Sequence, residues 1–286
     1  MTAGAVVLAG GRSSRMGTAK ASLEWHGSTL LRRTTGIVGR AVDGPVVVVR
    51  APRQDLPALP GDVLVVDDPV EGRGPLQGLA VGLGTLREKA DVAFVCSTDL
   101  PFLHPAFVRR VVGALTEEWD VVLPRAGGFD QPLAAVYRTS LAPAVDALLA
   151  ADRLRLAFLF ESCRTLRLDD DALLADETLS ALDPGLESVR NVNAPDDYGA
   201  ARARSAPAVT VERFGALADP GRGGPRQVRA PTVAEAARQS GLTLDRYIVV
   251  VNGAHVGCDH DLPLAAGDTV AFISRAEATA GISRRP

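Results

Sequence analysis

The sequence predicts an α/β protein: a mainly parallel, doubly wound sheet followed by a second, smaller α+β unit. Three observations carry this. Short β-branched runs at residues 5–9, 45–50, 63–67, 92–97, 121–124, 133–137 and 165–168 alternate with helical patterns near 29–42, 76–88, 105–118, 140–150 and 195–204. Such alternation is the mark of a parallel sheet covered on both faces. The first strand runs directly into Gly10-Gly11, a bend made of backbone alone. From Ser205 the pattern changes: Ala206-Pro207 breaks the last helix, and short strands around one helix follow. The expected units are therefore 1–204 and 205–286.

Bulk composition narrows the partners. A hydrophobic fraction of 47% against 23% charged residues fits a soluble globular chain, and a net charge of −3 argues against non-specific nucleic-acid binding. No apolar run approaches the ~20 residues of a membrane span. The first strand begins too early for a signal peptide, so a cytoplasmic protein without a membrane partner is expected. Cys96, Cys163 and Cys258 stand far apart with no Cys-x-x-Cys pair, which suits a reducing compartment and not a structural zinc site.

The first candidate site is Ala5-Val-Val-Leu8-Ala9-Gly10-Gly11-Arg-Ser-Ser-Arg15-Met-Gly-Thr-Ala-Lys20. A buried strand ends in a glycine turn that a phosphate chain approaches closely, and free amides in such a turn form an anion nest. Arg15 and Lys20 add positive charge, one as a fork and one as a mobile point charge. Of 31 basic residues only Lys20 and Lys89 are lysines, which singles Lys20 out. Neither the P-loop nor the Gly-x-Gly-x-x-Gly fingerprint is present. On spacing alone a glycine turn with solvated arginines remains open. The stretch resembles the signature of nucleotidyltransferases of the molybdenum cofactor guanylyltransferase (MobA) type, a pattern shared with cytidylyl- and sugar-nucleotide transferases. That resemblance implies a Rossmann-like nucleotidyltransferase fold with Leu8, Ala9, Gly10, Gly11 and Lys20 around the nucleotide.

The third strand ends in Asp67-Asp68-Pro69, followed by Gly72-Arg73-Gly74-Pro75-Leu76-Gln77-Gly78. Pro75 suits the first turn of a helix, and Gly74 and Gly78 permit close approach of a flat group. In the resembled family this junction lies at the nucleobase, which assigns Asp68 to a guanine edge and Gly74 to the nucleotide. An ordinary strand-end turn is the competing reading, above all for Asp67. The family places asparagine after its second strand, where this chain has Arg50-Ala51-Pro52-Arg53.

The fourth strand ends in Ser97-Thr98-Asp99-Leu100-Pro101. A carboxylate at the end of a buried strand is well placed for Mg²⁺, which needs few protein ligands beside phosphate and water. The resemblance assigns Asp99 the same metal role, with Arg15 and Lys20 as its catalytic companions. His104 reads as a helix-start residue.

Residues 121–138 read as strand, glycine turn, strand, which gives the sheet an antiparallel member. In the family this hairpin borders the acceptor pocket. Arg125 and Gln131 are either acceptor contacts or solvated loop residues, and Arg153-Leu-Arg155 matches a basic cluster ahead of a helix. Asn193, in Asn191-Val-Asn193-Ala-Pro195, either caps a helix or reaches the active site as the family's asparagines do.

In the second unit, Val209–Phe214, Val228–Ala230, a helix opened by Thr232-Val-Ala-Glu235, Tyr247–Gly253 and Gly267–Ser274 give a ββαββ order. This resembles the ubiquitin-like sulfur carriers, which end in Gly-Gly. Here the tail reads Ala280-Gly281-Ile-Ser-Arg-Arg-Pro286, and only cleavage after Gly281 exposes a glycine carboxylate.

The leading expectation is transfer of GMP from GTP to the phosphate of molybdenum-bound molybdopterin, with Mg²⁺ as cofactor and pyrophosphate as product. A phosphate nucleophile is already ionised, so no general base is required. Two alternatives stand: a cytidylyltransferase or other transferase acting on a phosphorylated acceptor, and a non-catalytic adaptor that meets pathway proteins through the second unit.

Overall fold

The computed structural model describes residues 1–10, 20–70, 72–214, 224–257 and 259–274. The chain divides into two compact units, Met1–Ala201 and Arg202–Pro286.

The first unit begins with β1 (Ala3–Leu8), every residue of which is buried. A short hairpin, β2 (Glu24–Trp25) and β3 (Ser28–Thr29), leads into α1 (Leu30–Gly39), capped by Thr29, whose hydroxyl accepts from the Arg32 amide at 3.2 Å. Then follow β4 (Val46–Arg50), β5 (Leu64–Asp67), α2 (Pro75–Leu86), β6 (Val92–Ser97) and α3 (Pro105–Gly113). The chain continues through β7 (Val121–Ala126), β8 (Phe129–Asp130), β9 (Ala134–Arg138), α4 (Ala142–Ala150) and α5 (Ala157–Ser162). It ends with β10 (Thr165–Leu168), α6 (Asp170–Leu174), α7 (Glu177–Leu182) and α8 (Pro195–Arg202).

The sheet order is β10-β7-β9-β6-β1-β4-β5, with β8 paired to β7. All pairs along this path are parallel except those of β9, which runs antiparallel to both β6 and β7. The predicted reversal is present. β1 is central: the chain first fills β4 and β5 on one side, then crosses to β6 on the other. That crossing is a topological switch point, and ligands of such sheets lie beyond the carboxyl ends of the strands there.

Packing fixes α2 against the centre of the sheet. A Cβ on Gly78 would lie 2.9 Å from Leu8 Cδ2, and one on Gly82 would lie 2.4 Å from Val6 Cγ1. Gly78 lines the cavity described below, as expected of a residue that leaves room for a ligand, and its missing side chain also lets the helix seat on β1. Val6 is fully buried and β-branched, so it has nowhere to turn. Gly82→Ala is thus expected to destabilise the first unit by about 1–2 kcal/mol, although alanine adds up to about 1 kcal/mol of helix propensity. Both tryptophans, Trp25 and Trp119, lie in this unit. Denaturation followed by their fluorescence measures the effect, and a variant at least as stable as the wild type contradicts the packing argument.

One expected helix boundary differs, and one expected helix start is present. The helix at 105 stops at Gly113 and does not reach Glu118, because Glu117-Glu118 would put two negative charges at the negative end of the dipole. His104 caps its start, Nδ1 accepting from the Ala106 amide at 3.1 Å.

The second unit contains β11 (Ala208–Phe214), β12 (Arg226–Arg229), α9 (Val233–Gln239), β13 (Tyr247–Val251), β14 (Ala254–His255) and β15 (Thr269–Ser274). Its order is β12-β11-β15-β13-β14, with β11 and β15 parallel between antiparallel neighbours. This separate sheet is compatible with the second, smaller α+β unit expected from the sequence. Asn252 and Gly253, with φ of 50° and 84°, make the expected Asn-Gly turn. The capping box is only half closed: Thr232 Oγ1 accepts from the Glu235 amide at 3.3 Å, but the Glu235 carboxylate takes Arg238 and Gln239 instead. Most of the glycine-rich loop before Pro225, and the tail around Gly281, lie outside the described residues. Among the described residues no helix is long and apolar enough to cross a membrane.

Candidate active site

A cavity of about 500 Å³ opens beyond the carboxyl ends of β1, β4 and β6. Seven of the residues expected at a nucleotide line it: Leu8, Ala9, Gly10, Lys20, Asp68, Gly74 and Asp99. Gly11 and Arg15 lie outside the described residues. Asn193 borders a second cavity of about 280 Å³, which shares Ser97, Asp99 and Leu133 with the first. The two spaces therefore meet at Asp99.

The floor is the end of β1. Ala9 and Gly10 amides both donate to the Val49 carbonyl, at 2.8 and 3.3 Å. The expected free-amide nest therefore does not extend to these two residues; the ladder to β4 already uses them. Gly10 itself is required by closeness, since a Cβ there would lie 3.1 Å from the Ala51 amide nitrogen.

One wall is the rim after β4 and β5. Register sets Arg50 opposite Asp67, and its Nε donates to that carboxylate at 2.6 Å. Asp67 is thus the structural member of the acidic pair. Asp68 donates its amide to the Arg50 carbonyl at 2.7 Å, and its Oδ1 accepts from the Val70 amide at 3.1 Å. Gln54 closes the rim. Its amide donates to the Ala9 carbonyl at 3.1 Å while its Oε1 accepts from the Ala51 amide at 3.0 Å. Gln54 gave no signal in the sequence, since its partners are set by the fold and not by a motif. Gly74, with φ of 75°, adopts a conformation open to glycine and precedes Pro75 at the start of α2.

The opposite wall carries charge. Lys20, on a single 3₁₀ turn, places Nζ 3.2 Å from Asp99 Oδ2 and 2.7 Å from Asn193 Oδ1. Residues 79 and 173 positions apart in the chain thus converge on one ammonium. The Ser97 hydroxyl bonds Asp99 Oδ1. The turn itself is held from outside: Val192 donates its amide to the Asp99 carbonyl at 3.0 Å, and buried Arg33 donates to the Pro101 carbonyl. Ser97 and Arg33 are further residues that motif reading missed. Asn193 spends its side-chain oxygen on Lys20, which answers the capping alternative for that atom.

Other expected contacts lie elsewhere. Arg125 donates to the Gly128 carbonyl at 3.2 Å and Gln131 to that of Phe129 at 3.2 Å, so both brace their own hairpin, although Gln131 also borders the second cavity. Arg153 lies 4.0 Å over the Phe158 ring and pairs with Glu161 at 3.4 Å; it lines neither cavity. Burial pushes the Cys96 thiol well above its ordinary range, and the Asp99 charge adds to that, so Cys96 supplies no thiolate to the site.

A cation and a carboxylate at the mouth of a cavity whose floor is bare backbone suit a polyphosphate and its counter-ion. Residues 5–168, more than half of the chain, match the family described as the MobA-like NTP transferase domain. The chain belongs to the MobA-like NTP transferase family. It is therefore an enzyme, a nucleotidyltransferase. A Mycobacterium tuberculosis protein named probable molybdenum cofactor guanylyltransferase is 41% identical over 167 residues, covering 57% of this chain and 81% of its own. Its namesake in Mycobacterium marinum is 41% identical over 182 residues, covering 62% and 89%. The crystal structure of molybdopterin-guanine dinucleotide biosynthesis protein A from Archaeoglobus fulgidus aligns with a TM-score of 0.54 at 20% identity, over 70% of this chain and 96% of that one. At that identity the alignment bears on fold, and it agrees with the sheet of this MobA-like transferase.

Proposed function

We propose that the enzyme transfers GMP from GTP to the phosphate of molybdenum-bound molybdopterin and releases pyrophosphate. The observation that carries this reading is the convergence of Lys20, Asp99 and Asn193 where the two cavities meet. The larger space takes the nucleotide and the smaller the acceptor phosphate. The names of the mycobacterial relatives support guanine and molybdopterin as the partners.

In this reading an acceptor phosphate oxygen attacks the α-phosphorus of GTP in line. The bond to the β-phosphate oxygen breaks as the new phosphoanhydride forms, and pyrophosphate leaves with the electron pair. Lys20, joined by Arg15, neutralises the charge that builds on the phosphates. Asp68 accepts from the N1–H and 2-amino group of guanine, with Arg50 and Gln54 holding its rim. Ala9, Gly10 and Gly74 shape the nucleotide cavity by presenting little side chain, and Leu8 adds an apolar surface.

Mg²⁺ fits the donor set. The Asp99 carboxylate and the Asn193 amide oxygen are hard oxygen donors that would hold it, and the Ser97 hydroxyl orients the carboxylate. Magnesium needs few protein ligands, so substrate oxygens and water would complete its shell. Bound there, it supplies Lewis-acid neutralisation of the phosphates.

The resemblance of the second unit to ubiquitin-like carriers supports a role in docking other proteins of the same biosynthesis. The need for cytosolic GTP places the reaction in the cytoplasm. Pyrophosphate release measured with GTP, CTP, ATP and UTP, each with Mg²⁺ and molybdopterin, tests the assignment. Turnover with GTP is expected; preference for CTP selects the cytidylyl alternative, and no turnover with any of the four contradicts the reading.

A further inference from the structure

Asp99 has both oxygens engaged, and by partners of different character. Oδ1 is bonded by Ser97, two residues back on the same strand end, which is a contact fixed by local geometry. Oδ2 faces the Lys20 ammonium at 3.2 Å, and that ammonium also rests at 2.7 Å on Asn193 Oδ1. Lys20 therefore lies on the two side-chain oxygens that would hold a divalent ion. The Lys20 and Asp99 side chains are 22% and 18% exposed, enough shielding for a close pair of charges to be felt. An ammonium and a divalent cation cannot share that seat.

We infer that Lys20 is a built-in placeholder for the divalent ion, and that Ser97 is a positioning residue which keeps Oδ2 as the exchangeable oxygen of Asp99. A triphosphate draws the ammonium off, because three or four phosphate charges outbid one carboxylate and one amide. The freed oxygens then take the ion together with the phosphates. The ion alone binds poorly, and ion and nucleotide bind as a pair. The coupling is reciprocal: whatever factor the nucleotide adds to ion affinity, the ion adds to nucleotide affinity. This deepens the transferase reading and rests on it for the identity of the triphosphate. The displacement of Lys20 by an ion is independent of which base is carried.

The test uses the full chain and Mn²⁺ as the probe, with binding followed by electron paramagnetic resonance. Wild-type protein alone is expected to bind Mn²⁺ weakly, and at least about tenfold more tightly once GTP is present without acceptor. Lys20→Met alone is expected to bind Mn²⁺ at least about tenfold more tightly than wild type alone, and to gain less from GTP. A contact effect persists at 0.5 M KCl, whereas a distant charge effect is screened away at that ~4 Å Debye length. Ser97→Ala in the Lys20→Met background is expected to undo most of the gain, and Ser97→Thr to restore it. Thermal melts establish that each variant is folded. Mn²⁺ affinity in Lys20→Met within twofold of wild type, or a gain abolished by salt, overturns the placeholder. Absence of GTP binding contradicts the transferase reading instead, and the ion-only comparison still decides this one.

Discussion

Asp99→Asn is expected to lower kcat/KM for pyrophosphate release by on the order of 10³-fold, about 4 kcal/mol of transition-state stabilisation. The substitution keeps the size of the side chain and keeps an oxygen for Ser97. It removes the negative charge that Lys20 faces at 3.2 Å, and it replaces a ligand oxygen by an amide or turns an N–H toward a cation. The effect therefore falls on charge neutralisation and not on shape. Asp99 joins two cavities, so donor and acceptor phosphates both lose their common reference point. Steady-state kinetics paired with a thermal melt check it: an intact melt with activity within tenfold of wild type removes Asp99 from the mechanism.

The second large effect belongs to Asp68. Guanine offers two adjacent donors, and a carboxylate accepts both; asparagine offers one acceptor and one donor, and the donor meets a donor. Asp68→Asn is expected to lower kcat/KM for GTP by on the order of 10²-fold, mainly through KM, and to shrink the preference for GTP over ATP by a similar factor. Xanthosine triphosphate, which carries an oxygen at position 2, becomes the better substrate because the new amide donates to it. The Val70 amide that orients Oδ1 has its acceptor in either variant. Competition assays with the three nucleotides read the change directly, and an unchanged ranking removes Asp68 from base recognition.

Much of the site could be read from the chain because its parts all follow buried strands. Leu8, Ala9, Gly10, Asp68 and Asp99 sit where apolar runs stop, and in a parallel sheet those stops face one crevice. Lys20 stood out as a rare lysine. What sequence did not show depends on distance along the chain. Gln54 reaches back to Ala9, Arg33 across to Pro101, and Val192 to Asp99, and no local spacing encodes such meetings. Glycines were only half legible for the same reason. Gly78 lines the cavity as expected but also carries a packing role against Leu8 that no spacing shows, and Gly82, which approaches the sheet more tightly still, drew no notice.

The reversed strand β9 has a consequence for how such an enzyme diversifies. Because Ala134 pairs with Cys96, β9 begins at the rim where its antiparallel neighbours finish. The smaller cavity, proposed above for the acceptor, is thus made from the approach to a strand, with Gln131 and Leu133 arriving at the edge before the ladder starts. Residues at the hairpin tip, Gly127 to Asp130, lie beyond the main ladder and are tied back through β7, Asp170 and Arg167. Evolution is free to lengthen, shorten or recharge the tip and so choose a new acceptor, without sliding a single rung of the frame that grips the nucleotide.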